Sequence, residues 1–278
     1  MRIIRCIWFD IKNNFFYNKI FLLMVAALMI LSSVYYVNAS KKYVEGYNEF
    51  CKSTGDGEII PDIKVSSADI ILFMFAGMDK INEKDDKIDI PVMYIALAII
   101  FTCLTYRYIC SDLSNTVVPM YDNRILWLAC KILSNIFLII SVYVVGIFVA
   151  FIAGKNTWTL NKRIDMELIG CDYCKADKKE FVLLIITSVI TVIVISCIQV
   201  FMSIAVNYVI GIIVSFSIYI LSLFGMDYYM IANGCMIQRS KYFMEHGYNY
   251  ININVINFIL LCLVLIALCF VVKRKDIL

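Results

Sequence analysis

From Phe181 to Met226 the chain runs without a single Asp, Glu, Lys, Arg or His. About 20 apolar residues suffice to carry a helix across the hydrocarbon core of a bilayer, and inside that core each backbone N–H and C=O has to be satisfied within the segment. A run of this length therefore holds two helices and a turn. The polar cluster Gln199, Ser203 and Asn207, followed by Gly211, is the candidate turn. It places the two spans at 181–204 and 208–226, with the exact turn position left open.

Four more uncharged runs occur at Ile20–Ser40, Ile90–Tyr106, Ile132–Gly154 and Ile251–Val272. At 62% hydrophobic and 17% charged residues, with mean hydropathy +0.82, the composition lies far from that of a soluble domain, where about half the residues are apolar and about a quarter charged. The expected fold class is an all-α polytopic membrane protein. It is one transmembrane domain over 1–278, with six transmembrane helices (20–40, 90–106, 132–154, 181–204, 208–226 and 251–272) and no internal repeat. Trp8, Trp127 and Trp158 all fall at expected membrane boundaries, as aromatic belts do.

Charge sets the orientation. With the N-terminus inside, the inner segments hold Arg2, Arg5, Lys12, Lys19, Arg107, Arg124, Lys131, Lys273, Arg274 and Lys275 against Asp10, Asp112, Asp122 and Asp276. The other fifteen basic and eighteen acidic residues lie outside, so the excess of Lys and Arg favours N-in and C-in. The net charge of +3 is a sum over two compartments and does not point to nucleic acid.

Residues 1–19 place Ile4, Ile7, Trp8, Ile11 and Phe15 at helical spacing with Arg2, Arg5 and Lys12 elsewhere on the wheel. They read as an interfacial helix on the inner surface rather than a cleavable signal. The segment 41–89 is expected to be a large extracellular loop with seven Lys and eleven acidic residues. Its apolar patch Ile70–Met78 is too short to span and should pack on the helix mouths or dip into the outer leaflet. The 155–180 segment carries Cys171 and Cys174, a C-x-x-C pair with no second pair or nearby histidine to complete a metal site. Cys51, Cys171, Cys174 and Cys235 would all face an oxidising exterior, where a disulfide among them is open; the sequence does not pair them. The 227–250 segment is rich in Tyr, Met and Asn.

The segment 107–131, RYICSDLSNTVVPMYDNRILWLACK, sits between two apolar runs and on the inner side. Ser111, Asp112, Ser114 and Asn115 can cap a helix start, and Pro119 interrupts helix continuity. A short helix, a turn and a new helix follow from this pattern. Arg124 and Lys131 lie seven residues apart, two turns on one helical face. The bland interpretation is a polar hairpin whose basic residues obey the positive-inside rule; the sharper one is an element that docks on a soluble partner.

This segment resembles the cytosolic coupling helix between spans 2 and 3 of type-2 ABC transporter permeases. Asp112 stands for the acidic residue that ends one span, Asn115 and Thr116 for a Gly-Thr pair, and Arg124 with Lys131 for a basic pair. Two departures are plain: Asp replaces the usual Glu, and the glycine is missing. The resemblance implies a permease subunit that works with separate cytosolic ABC ATPase subunits and with a second copy of itself or a homologous permease, in a bacterial cytoplasmic membrane. ATP and Mg would bind the partner ATPase, and no cofactor this chain. It makes the N-terminal helix a border of the ATPase contact, and the 227–250 connection a re-entrant closure broken at Gly234 and Gly247. Relatives of this size include exporters of bacteriocins and of phenol-soluble modulins, so the implied cargo is a hydrophobic or amphipathic substrate, a peptide first, with lipid, drug or sodium export left open; membrane lipid surrounds the subunit.

Other chemistries are hard to place. Gly154-Lys155 lacks the upstream glycine and the following Ser or Thr of a phosphate-binding loop. The expected spans hold no ionisable residue for a proton relay or ion-coupled carrier, and neither H-E-x-x-H nor G-x-S-x-G occurs. The chain is not expected to be an enzyme by itself or to hold a metal. Gln199, Ser203 and Asn207 could line a pathway, although hydrogen bonding between helices is the commoner use of such residues. A rival from another class is a non-transporting immunity or sensor protein that binds a peptide through the 41–89 loop.

Overall fold

A computed structural model describes residues 2–54, 65–78, 91–109, 123–155, 157–227 and 229–274. Among them there is no β-strand, and four helices are long and apolar enough to cross a membrane.

Helix α1, Arg2–Thr54, is one element of 53 residues, about 80 Å at 1.5 Å per residue. The expected interfacial helix, first span and opening of the 41–89 loop are continuous here. The helix passes residue 40 because Tyr36, Ser40, Val44 and Cys51 recur at helical spacing and are all buried, while Lys41, Lys42 and Glu45 take the exposed face. The charges that suggested a loop decorate one side of a helix.

Helix α2, Ser67–Phe75, opens on a capping box in which Ser66 and Asp69 each bind the other's main-chain amide. Its apolar residues Ile70, Ile71, Leu72, Met74 and Phe75 are buried, and Phe75 stacks on Tyr143 with ring centroids 4.7 Å apart. Of the two expectations for this patch, the structure gives packing on the helix mouths. Helix α3, Val92–Ile109, is 18 residues long. Helix α4, Arg124–Ala153, starts eight residues before the apolar run at 132, capped by the side chain of Asn123. Helix α5, Lys162–Ile169, ends at Gly170, whose φ of 74° is the left-handed conformation that favours glycine.

The long apolar run turns at Val206 and Asn207, between α6, Lys178–Ala205, and α7, Tyr208–Phe224. Two 3-10 turns, Ile231–Cys235 and Ile237–Arg239, then lead to α8, Tyr250–Arg274.

Pairs of contacts fix the directions. Asn14 meets Ser134 and Met29 lies against Gly146, so α1 and α4 run parallel. Ser196 meets Asn135 and Ser188 meets Tyr143, so α6 runs opposite to α4. Asn254 and Asn257 of α8 reach Thr187 and Thr191, which makes α8 parallel to α6. Helix α6 is the central one: 61% of its most apolar stretch is buried, against 22% for α1 and 17% for α8. The outward faces of α1 and α8 show Leu23, Leu31, Phe258 and Phe270 at 60% exposure or more.

Candidate functional site

The structure arranges buried polar groups at two ends and in the middle of the bundle. At the first end, Asp10, Asn14 and Asn18 are spaced four apart on one face of α1 and are at most 1% exposed. Lys131 Nζ lies 3.1 Å from Asp10 Oδ1. Ser134 Oγ donates to the Asp10 carbonyl at 3.1 Å, Asn14 Nδ2 donates to Ser134 Oγ at 2.9 Å, and Asn18 Nδ2 donates to Asn14 Oδ1 at 2.7 Å. Helix α4 is thereby fastened to α1 over its first turns. Trp127, Leu128, Val200, Leu268 and Val272 form an apolar cluster around the same end.

The two basic residues expected to act together are used differently. Arg124 occupies the first position of α4 and is half-buried, whereas Lys131 is 7% exposed and faces α1. Burying Lys131 leaves a charge out of water, and Asp10 supplies the countercharge that makes this tolerable. Asp112, Asn115 and Thr116 lie outside the described residues. The polar stripe on α1 escaped the sequence reading, although the D-x-x-x-N-x-x-x-N spacing within an otherwise greasy wheel is a usable signal.

In the middle, Gln199 Nε2 donates to the Thr102 carbonyl at 2.9 Å. Thr105 and Ser196 hydroxyls lie 3.1 Å apart, and Asn135 donates to both. Ser203 is 5% exposed and pressed against Gly211, where an added Cβ would sit 2.1 Å from its hydroxyl. Asn207 is exposed at the turn and caps α7 by accepting from Ile210 N at 2.8 Å. Gln199 and Ser203 thus come together with Gly211 in helix packing, while Asn207 shapes the turn.

At the far end, Arg239 is 1% exposed. Its guanidinium donates to the carbonyls of Met78, Ser222, Leu223 and Gly225 and to Asn233 Oδ1. Three of those carbonyls belong to the end of α7, where the helix leaves acceptors without intrahelical donors and a cation is favoured. Nearby, Asp69 and Asp165 are buried, at 1% and 0% exposure, and Tyr36 of α1 donates to Asp165 at 2.6 Å.

The four cysteines expected to face outside are all buried. Cys51 and Cys235 carry free thiols, and burial pushes the Cys235 thiol far above its usual range. It stays protonated and is a poor nucleophile or ligand. Cys171 and Cys174 pack in the main core cluster.

No protein-family model, curated protein or solved structure matches this chain.

Proposed function

We propose that the chain is the membrane-embedded permease subunit of an ATP-driven exporter, crossing a bacterial cytoplasmic membrane six times with both ends inside. Its six passes are α1, α3, α4, α6, α7 and α8, and it works as a dimer, with itself or a homologous permease, alongside separate ATPase subunits. The cargo is a hydrophobic or amphipathic substrate, a peptide in the first instance.

The observation that carries this reading is the fastening of α4 to α1 through Asp10 and Lys131. Residues 124–131 of the 107–131 segment are the first turns of α4, so a partner that moves them moves the start of α4. Because α4 is tied to α1, and α1 is unbroken to Thr54, the displacement reaches the opposite end. Asp10 and Tyr36 are separated by about 39 Å along that helix, comparable with the thickness of a bilayer. Tyr36 in turn holds Asp165 in the far cap. A motor on one side can in this way act on the other by rigid-body movement.

The test is purification of the tagged chain from its own membrane, followed by photolabelling with azido-ATP. A co-purifying polypeptide that takes the label in equal amount, and that is lost from an Arg124→Glu variant of unchanged thermal stability, supports the exporter. If the intact complex takes no label, a peptide-binding membrane protein without transport becomes the better account.

A further inference from the structure

Asp69 and Asp165 come from α2 and α5 and meet, buried, beside α1. Every oxygen of Asp69 is engaged: Oδ2 accepts from Ser66 N at 2.9 Å and Oδ1 from Asn161 N at 2.8 Å. Asp165 Oδ1 accepts from Tyr36 at 2.6 Å, but Oδ2 is buried with no donor from the protein. Each carboxyl group lies close enough to act on the other's ionisation. Two ionised carboxylates can only accept, and side by side in a dry site they repel, so a proton on one of them relieves the pair.

The proton can be placed. Two main-chain amides favour the charged form of Asp69, whereas Asp165 has one neutral hydroxyl and an oxygen without a donor. We propose that Asp165 carries a proton on Oδ2 and donates it to the Asp69 carboxylate, forming a proton-binding latch that ties α1, α2 and α5 together. The inference is independent of the exporter reading.

The groups of the described residues that act on the pair are Tyr36 from α1 and the Ser66 and Asn161 groups at the starts of α2 and α5. Burial first, then the Asp69 charge, pushes the Asp165 carboxyl up to about 8, and burial raises Asp69 against the pull of the two amides. The latch is closed at neutral pH. Removing the proton leaves two anions in contact in a dry site, and they repel. The sign follows from proton binding: the folded chain holds one more proton than the unfolded chain between the ordinary Asp value of 3.8 and about 8. Stability from the latch is complete below that window and is lost as pH rises through about 8.

The experiment is a pH titration of the purified full chain in lipid nanodiscs, followed by infrared absorption and thermal unfolding. Wild type should show the carbonyl stretch of a protonated carboxyl at neutral pH, fading as pH rises through about 8, with a fall in Tm over the acid-to-alkaline window. Asp165→Asn keeps an acceptor for Tyr36 and supplies an N–H to Asp69, so it should lose both the band and its share of the Tm slope, and should exceed wild type in Tm under alkaline conditions. A slope unchanged in Asp165→Asn, or a uniform drop in its Tm at every pH, overturns the latch. So does a wild-type spectrum with no protonated carboxyl at neutral pH, a readout that needs no variant. A rise in Tm with excess Ca2+ in the absence of that band would assign the site to a cation instead.

Discussion

Lys131 Nζ and Asp10 Oδ1 lie 3.1 Å apart across 121 residues of sequence, and the side chains are 7% and 1% exposed. A surface pair of this kind contributes little. This one is withdrawn from water, so removing one partner leaves a buried charge without this countercharge.

Lys131→Met or Asp10→Asn alone should each destabilise the chain by about 3 to 5 kcal/mol. The double variant should recover most of that loss, since neither charge remains. Unfolding of the four proteins in detergent measures the cycle. Equal stability of wild type and both single variants would remove the clamp from the account.

Arg239 ties the end of α7 to the 3-10 turns and to Met78 through five acceptors. Arg239→Lys keeps the charge but offers one point of donation in place of a planar fork. It should cost at least about 3 kcal/mol, two charge-assisted bonds' worth. Hydrogen exchange should show the loss concentrated over 222–248, with α1 and α4 unaffected; uniform loosening would argue against a local role.

Gly211→Ala should destabilise the α6–α7 hairpin by about 1 to 3 kcal/mol. The new Cβ would lie 2.1 Å from Ser203 Oγ, which can be removed, and 2.9 Å from the Gln199 carbonyl, which cannot. Adding Ser203→Gly should therefore restore only part of the loss. Complete rescue would mean that the backbones are not in such close approach.

How far the fold can be read from the sequence differs from element to element. The apolar runs announce α3, α4, α6, α7 and α8, because a helix in hydrocarbon needs continuous apolar residues and little else. Ser66-x-x-Asp69 and Asp177-x-x-Glu180 are capping boxes written in the sequence. The extension of α1 to Thr54 is hidden because Lys41, Lys42, Glu45 and Glu49 dominate composition there, although Ser40, Val44 and Cys51 keep the helical stripe. Lys131 looks like a surface charge until Asp10 is brought to it. The approach of Asp69 to Asp165 depends on tertiary packing, and local spacing carries no trace of it.

ATP turnover by the chain reconstituted with its co-purified ATPase tests the central claim most directly, comparing wild type with Arg124→Glu. Arg124 is chosen because it is half-buried at the first turn of α4, so its reversal spares the Asp10–Lys131 clamp. The account predicts a complex in wild type and a loss of turnover of roughly tenfold or more in the variant, equivalent to about 1.4 kcal/mol, at unchanged Tm. Turnover that is the same in both proteins, or a wild-type chain that binds no ATPase, would contradict it.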